Sequence, residues 1–182
     1  ITWTGGGATE SWSEAANLSG GAVPTSPDVA FFSGSSTKNA TIDINLNLQG
    51  ITVTSTYSGT ITQSATTSIT LGTSGYTQAS GTFAGNASTT LTITDASFSL
   101  SGGTFTNPAT TTVERDFTLS GGTFNSSGTV QFSGNSTDDD STLTCSGTLP
   151  GTVGLNKTGN QDSFTLASGC AITIGTTQTS EA

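Results

Sequence analysis

The side chains able to do chemistry are few and fall into two short strings, Glu114-Arg115-Asp116 and Asp138-Asp139-Asp140, together with Cys145 and Cys170. Histidine is absent, which removes the commonest general base and metal ligand at once and excludes any Ser-His-Asp or Cys-His site within this chain. No catalytic residues are therefore expected. Asp138, Asp139 and Asp140, with Asn135, Ser136 and Thr142 close by, form the densest set of oxygen ligands, and calcium is the cation that such oxygens take. Their spacing matches no established calcium loop and no glycine interrupts the triplet, so a solvated turn is the first expectation and calcium the second. In an extended Glu114-Arg115-Asp116 the two carboxylates would share one face and the guanidinium the other, which predicts a salt-bridge ladder on a solvent face. Cys145 and Cys170 are separated by an interval close to that of the repeat described below. On neighbouring coils of a stacked fold their Cα atoms would lie about 5 Å apart, within disulfide range. Two buried free thiols acting as small hydrophobes are the alternative.

Other polar groups point to binding or modification. Asn-x-Ser/Thr acceptors occur at Asn17, Asn39, Asn86, Asn125, Asn135 and Asn156, candidates for sugar attachment on an exported chain. Thr-x-Thr recurs at Thr52/Thr54, Thr60/Thr62, Thr92/Thr94 and Thr142/Thr144. Flat ladders of such pairs are how some β-solenoid antifreeze proteins meet ice, but the irregular offsets favour outward threonines on wet strands.

These groups must be positioned by a repeat. Phe98-Ser-Leu-Ser-Gly-Gly-Thr-Phe105 returns almost unchanged as Phe117-Thr-Leu-Ser-Gly-Gly-Thr-Phe124. A looser copy, Tyr76-Thr-Gln-Ala-Ser-Gly-Thr-Phe83, lies upstream at a similar interval, and Tyr57-Ser-Gly-Thr-Ile61 precedes that copy in the same way, Ile61 standing where Phe83 stands. A unit of about 20 residues cannot bury an apolar face alone, so successive units must lie on one another. Period-two alternation with β-branched residues, as in Ile42-Asp-Ile44-Asn-Leu46-Asn-Leu48, Ile51-Thr-Val53, Leu91-Thr-Ile93 and Ile172-Thr-Ile174, reads as strand. The best helical signal is a single turn at 11–17. Each Ser-Gly-Thr or Ser-Gly-Gly-Thr predicts a corner, because glycine accepts the positive φ that tight bends need. The phenylalanines flanking it, Phe83, Phe98, Phe105, Phe117 and Phe124, are expected to point inward and stack from coil to coil.

The fold class expected is all-β, a parallel β-solenoid with an N-terminal capping segment. Coils are read at 40–63, 66–83, 88–105 and 110–124, then more degraded at 128–148 and 151–174, so that 40–182 forms rungs with a C-terminal tail. Residues 1–39, which hold both tryptophans, are read as a cap, since a solenoid end otherwise exposes a sheet edge.

Composition narrows the partners. A net charge of −9 with Lys38, Arg115 and Lys157 as the only basic residues makes nucleic acid and anionic membranes poor partners. No apolar run approaches the ~20 residues of a membrane-spanning helix, so membrane insertion is not expected. The absence of methionine and the acidic, threonine-rich character point to a mature secreted protein.

Thr2-Trp-Thr-Gly-Gly-Gly, Trp12-Ser-Glu-Ala-Ala-Asn-Leu-Ser-Gly-Gly-Ala-Val-Pro24 and Asp28-Val-Ala-Phe-Phe32 resemble the opening module of large secreted bacterial β-solenoid proteins, including autotransporter-type passengers and filamentous adhesins. Leu18 stands where that module usually has a third aromatic residue. The resemblance covers about forty residues and implies a cell-surface or extracellular location, with no catalytic residues to carry over. The expectation is an extracellular structural protein, a subunit of a filament, sheath or surface layer that stacks head-to-tail on copies of itself. The alternative is an adhesin or carbohydrate-binding passenger segment with glycan partners. A polysaccharide lyase or hydrolase is a third reading, because lyases on parallel β-helices combine calcium-binding carboxylates with a basic proton acceptor. No cofactor other than calcium is suggested.

Overall fold

The computed structural model describes residues 1–134, 139–158 and 162–174. All strand ladders between named strands are parallel, and the chain winds as a three-walled solenoid. In the first wall Ile69 pairs with Leu91, Leu91 with Thr111, Thr111 with Val130 and Val130 with Val153, each partner lying one turn further along the chain. The second wall stacks Tyr76 on Phe98, Phe117 and Leu143 in turn. The third wall carries Ala40–Ile42, Thr60–Gln63, Thr82–Ala84, Thr104–Thr106 and Thr123–Asn125. A separate two-stranded ladder, Gly147–Thr148 with Cys170–Ala171, occupies the third side of the last coils.

Period-two alternation decides which side chains enter the lumen. Tyr76, Phe98 and Phe117 form one stacked column, with ring centroids 5.1 and 4.3 Å apart. Phe83, Phe105 and Phe124 form a second at 4.8 and 5.7 Å. The columns meet edge to face, as at Phe98 and Phe105, the arrangement that the ring quadrupole favours. The Ser-Gly-Gly-Thr corner between them is tight: Gly103 has φ +75°, and a Cβ there would stand 2.3 Å from the Gly81 carbonyl oxygen of the coil before.

One run does not continue as the alternation suggests. Ile42 to Leu48 reads as a single strand, yet it breaks into Ala40–Ile42 and the start of Leu46–Val53, leaving Ile44 36% exposed. Flanking polar residues make that corner. Asp43 accepts from the Ser13 amide and hydroxyl, and the Asn45 Oδ1 accepts from the Ser68 amide one coil on.

The N-terminal segment closes the lumen. Thr2 pairs with Phe31, Ser11 pairs with Thr41, and between them Trp3 and Trp12 lie buried and stacked at 5.9 Å and 7° over Phe32. The outer edge is closed too: Trp3 pairs antiparallel with Leu18, Ser19 N–H donates to the Thr2 carbonyl, and Thr4 N–H to the Asn17 carbonyl. The only helical turn among the described residues is a 3-10 turn at Ala15–Asn17.

Glu14 ties the loop before this turn by accepting from the Thr9 hydroxyl and from the Ala8 and Thr9 amides, and these bonds hold its carboxyl below its ordinary value. A pKa lowered by folding gives a contribution that is complete above the unfolded value, about 4.3, and is lost as pH falls through the folded one. Thermal melts from pH 6 down to 2.5 should therefore show an acid limb that is shallower in Glu14→Gln than in the parent chain.

Candidate functional site

The described members of the two acidic strings are absorbed into a corner between the first and second walls. Glu114-Arg115-Asp116 follows the strand Thr110–Val113 and is not extended into a ladder. Instead its members reach the coils before and after it, Arg115 reaching both. Glu114 accepts from the Asp95 amide, Asp116 from the Thr142 amide, and Arg115 contacts Asp95 at 2.6 Å and Asp139 at 3.3 Å. The expected solvent-face ladder is thus a corner clasp, because the strand ends at Val113 and Asp95 turns the preceding coil at φ +57°.

Lys157 enters the same corner. Its ammonium donates to the carbonyls of Glu114 at 3.0 Å, Ser133 at 2.8 Å and Asp139, and burial pushes its pKa down. Arg115 and Lys157 together thus bind this corner across coils.

The same clasp engages Asp139, one of the proposed calcium ligands. Asp139 is only 2% exposed and faces Arg115, while Asp140 is exposed and accepts from the Ser163 hydroxyl and amide. These bonds to Ser163 hold the Asp140 carboxyl below its ordinary range. Asp138 and Asn135 lie outside the described residues. Among the described residues no group of three His, Cys, Asp or Glu stands where it could hold a metal ion.

Of the sugar-acceptor candidates, Asn17 is corrected outright. It is fully buried, its Oδ1 accepts from Gly7 N–H at 2.8 Å, and its Nδ2 donates to the Thr9 and Ser11 carbonyls. An amide nitrogen so engaged inside the cap cannot carry a glycan. Asn39, Asn125 and Asn156 are exposed and Asn86 is half-buried.

The four Thr-x-Thr pairs do not share a surface. Thr52 lies on the second wall, Thr60 and Thr62 on the third, Thr92 on the first and Thr142 on the second. Register builds a different ladder, Thr60, Thr82, Thr104 and Thr123 in one column of the third wall.

Cys145 and Cys170 form a disulfide with Cα atoms 5.0 Å apart, joining the last two coils across the corner that leads into the Gly147–Thr148 ladder. Closing a loop of 25 residues removes denatured-state entropy worth about 3–4 kcal/mol in the chain-entropy model. Denaturant titrations with and without reductant should show that loss, and Cys145→Ala/Cys170→Ala should match the reduced chain.

The two ends of the stack differ. At the far end, among the described residues, Phe164–Leu166 pairs only with Ser141–Thr144, and Cys170–Ala171 only with Gly147–Thr148. Leu166 and Ile174 are 39% and 52% exposed there, whereas the opposite end is sealed by the two tryptophans. Compared with known proteins, the chain matches no family model, no curated protein and no solved structure.

Proposed function

We propose that the chain is an extracellular structural unit, a rigid stacked segment of a surface filament, sheath or surface layer, which joins its neighbours end to end. The observation that carries this reading is the asymmetry of the ends. One end has its strand edge bonded internally, and the other, among the described residues, has single-sided strands beside exposed apolar side chains, a face that the next molecule can cover. The resemblance of residues 1–32 to secreted β-solenoid modules supports the location, and a disulfide agrees with an oxidising compartment.

The closed cap also sorts the modes of assembly. An open coil set against the cap of the next molecule repeats head-to-tail through side-chain contacts and grows a fibre. Open coil against open coil pairs strands about a two-fold axis and stops at a dimer. Electron microscopy and light scattering of the purified protein distinguish them, and head-to-tail fibres are the expected product. Leu166→Arg, at an exposed position, should abolish assembly without changing the β circular-dichroism spectrum. Monomers that persist at high concentration, or assembly indifferent to Leu166→Arg, would sink the reading.

A further inference from the structure

The first wall carries a continuous array of outward hydroxyl groups. Alternation along its strands turns Ile69, Leu91, Thr111, Val130 and Val153 inward, so the residues on either side of each face out. Register then stacks those outward residues in two columns. Ser68, Thr90, Thr110, Thr129 and Thr152 form one, and Thr70, Thr92, Thr112 and Gln131 form the other, with Gly154 closing it. The third wall has a comparable first column, but its second is broken by Ala84 between Thr62 and Thr106 and ends on Asn125.

The hydroxyls of these two columns are left for solvent. Among the described residues none of them bonds to another protein group, whereas the hydroxyls of Thr67, Thr89 and Thr111 donate to Ser64, Asn86 and Asn107. Threonine is branched at Cβ and stiff at χ1, so on a strand its hydroxyl and methyl have little rotamer freedom to lose. Neighbouring rungs lie about 4.8 Å apart, and outward residues along one rung about 6.6 Å apart. The result is a rigid two-dimensional net of hydroxyl and methyl groups.

Charge is kept off this face. The sequence has no Asp, Glu, Lys or Arg over 44–94, 96–113 or 117–137. The charges between those stretches, Asp95, Glu114, Arg115 and Asp116, gather at the corner between the first and second walls. The large apolar side chains that are exposed, Phe31, Ile44, Leu166 and Ile174, stand in neither column. Gln131 is the one long side chain in the array, and it is laid back along the wall, its Nε2 donating to the Phe132 carbonyl at 3.2 Å.

We infer that the outer face of the first wall binds ice. A single surface hydroxyl gains nothing by preferring ice, because liquid water satisfies it equally well. A rigid net differs, since one placement on a matching crystal face satisfies all its hydroxyls together, and the fold has already ordered them. Prism faces of hexagonal ice present rows of oxygen atoms at distances close to both spacings of the wall. Neutrality follows from the same requirement, because ice is a poor solvent for ions and a charged group holds a hydration shell that the lattice does not accommodate. A soluble sugar fits less well, for this face offers it neither an aromatic ring to stack on nor a concavity to enclose it. The wall runs along the stacking direction, so end-to-end joining would lengthen the face without covering it, and ice binding does not depend on that joining.

The test is to grow ice slowly from a solution of the full chain on a cooled probe and to compare the protein in the ice with that left in the liquid. Enrichment in the ice is expected, together with seed crystals that become faceted and stop growing until they are cooled further below their melting point. Thr92→Tyr/Thr112→Tyr sets two bulky rings in the middle of the array. It should leave the protein in the liquid while the circular-dichroism spectrum and melting temperature stay those of the parent chain. Thr90→Lys, at an exposed position, should have the same effect by adding a charge. Thr104→Tyr, on the third wall, should behave as the parent chain does. The inference is overturned by exclusion of the parent chain from ice, by enrichment that survives the first-wall substitutions, or by enrichment lost on Thr104→Tyr.

Discussion

Phe98→Ala is expected to lower the unfolding free energy by about 3–5 kcal/mol, the upper range for a buried aromatic truncated to alanine. Phe98 sits where the two columns cross: it is fully buried, stacks on Tyr76 and Phe117, and meets Phe105 and Phe124 edge to face. Its removal leaves a void bounded above and below by rings held in place by strand pairing, so the site has little freedom to collapse. Domains have a total stability of roughly 5–15 kcal/mol, so the loss is large enough to move a urea midpoint far outside error. Phe98→Leu keeps most of the volume and should cost well under half as much. Equal midpoints for the alanine variant and the parent chain would mean that the columns do not carry the core.

Trp12→Ala should be comparably damaging, at about 3–5 kcal/mol, but for a different reason. Trp12 stacks on Trp3 and packs at a tilt against Phe32, so its loss uncovers the first coil as well as opening a cavity. The variant should bind hydrophobic dyes and associate at concentrations where the parent chain does not. A finer contrast lies in the indole nitrogens. Trp12 Nε1 is buried without a hydrogen-bond partner, whereas Trp3 Nε1 donates to the Lys38 carbonyl at 3.1 Å. A buried donor left unsatisfied costs about 1–3 kcal/mol, so Trp12→Phe removes a penalty while it removes volume, and Trp3→Phe removes a bond. Denaturant midpoints should therefore fall in the order Trp12→Phe, Trp3→Phe, Trp12→Ala, the last being lowest.

The solenoid was legible because its period is written in residues that physics leaves little choice about. The alignment of Tyr76, Phe98 and Phe117, and of Ile61, Phe83, Phe105 and Phe124, is the register of two walls. The Gly-Gly corner follows from the close approach of Gly103 to the coil before it. Less legible were features decided by contacts between coils. Nothing local tells Asn17 from Asn39 as a sugar acceptor; only the folding of residues 7–11 around its side chain buries it. Glu114-Arg115-Asp116 looked like strand because the corner that breaks it is set by Asp95 and Asp139, which belong to the coils before and after it. One signal was present but easily passed over. Gln78 occupies the position of Leu100 in the next copy, and a polar residue at a core position of a repeat marks a buried amide with work to do for the backbone.

Those buried amides bear on how a self-similar chain finds one alignment. Copies as alike as 98–105 and 117–124 invite a coil to settle one turn too early or too late, since each would bury nearly the same surface. Gln78 Nε2 reaches the carbonyls of Ser80, Gly81 and Thr104, Asn107 Nδ2 reaches Ser126 and Thr129, and Gln63 Nε2 reaches Thr67 and Thr90. Each bridges its own coil to one specific neighbour. A slipped coil would bring an aliphatic side chain to one of these sites and leave its carbonyls dry and unbonded. The amides act as addresses written once each into a text that otherwise repeats itself, so that phenylalanine supplies the cohesion and glutamine and asparagine supply the count.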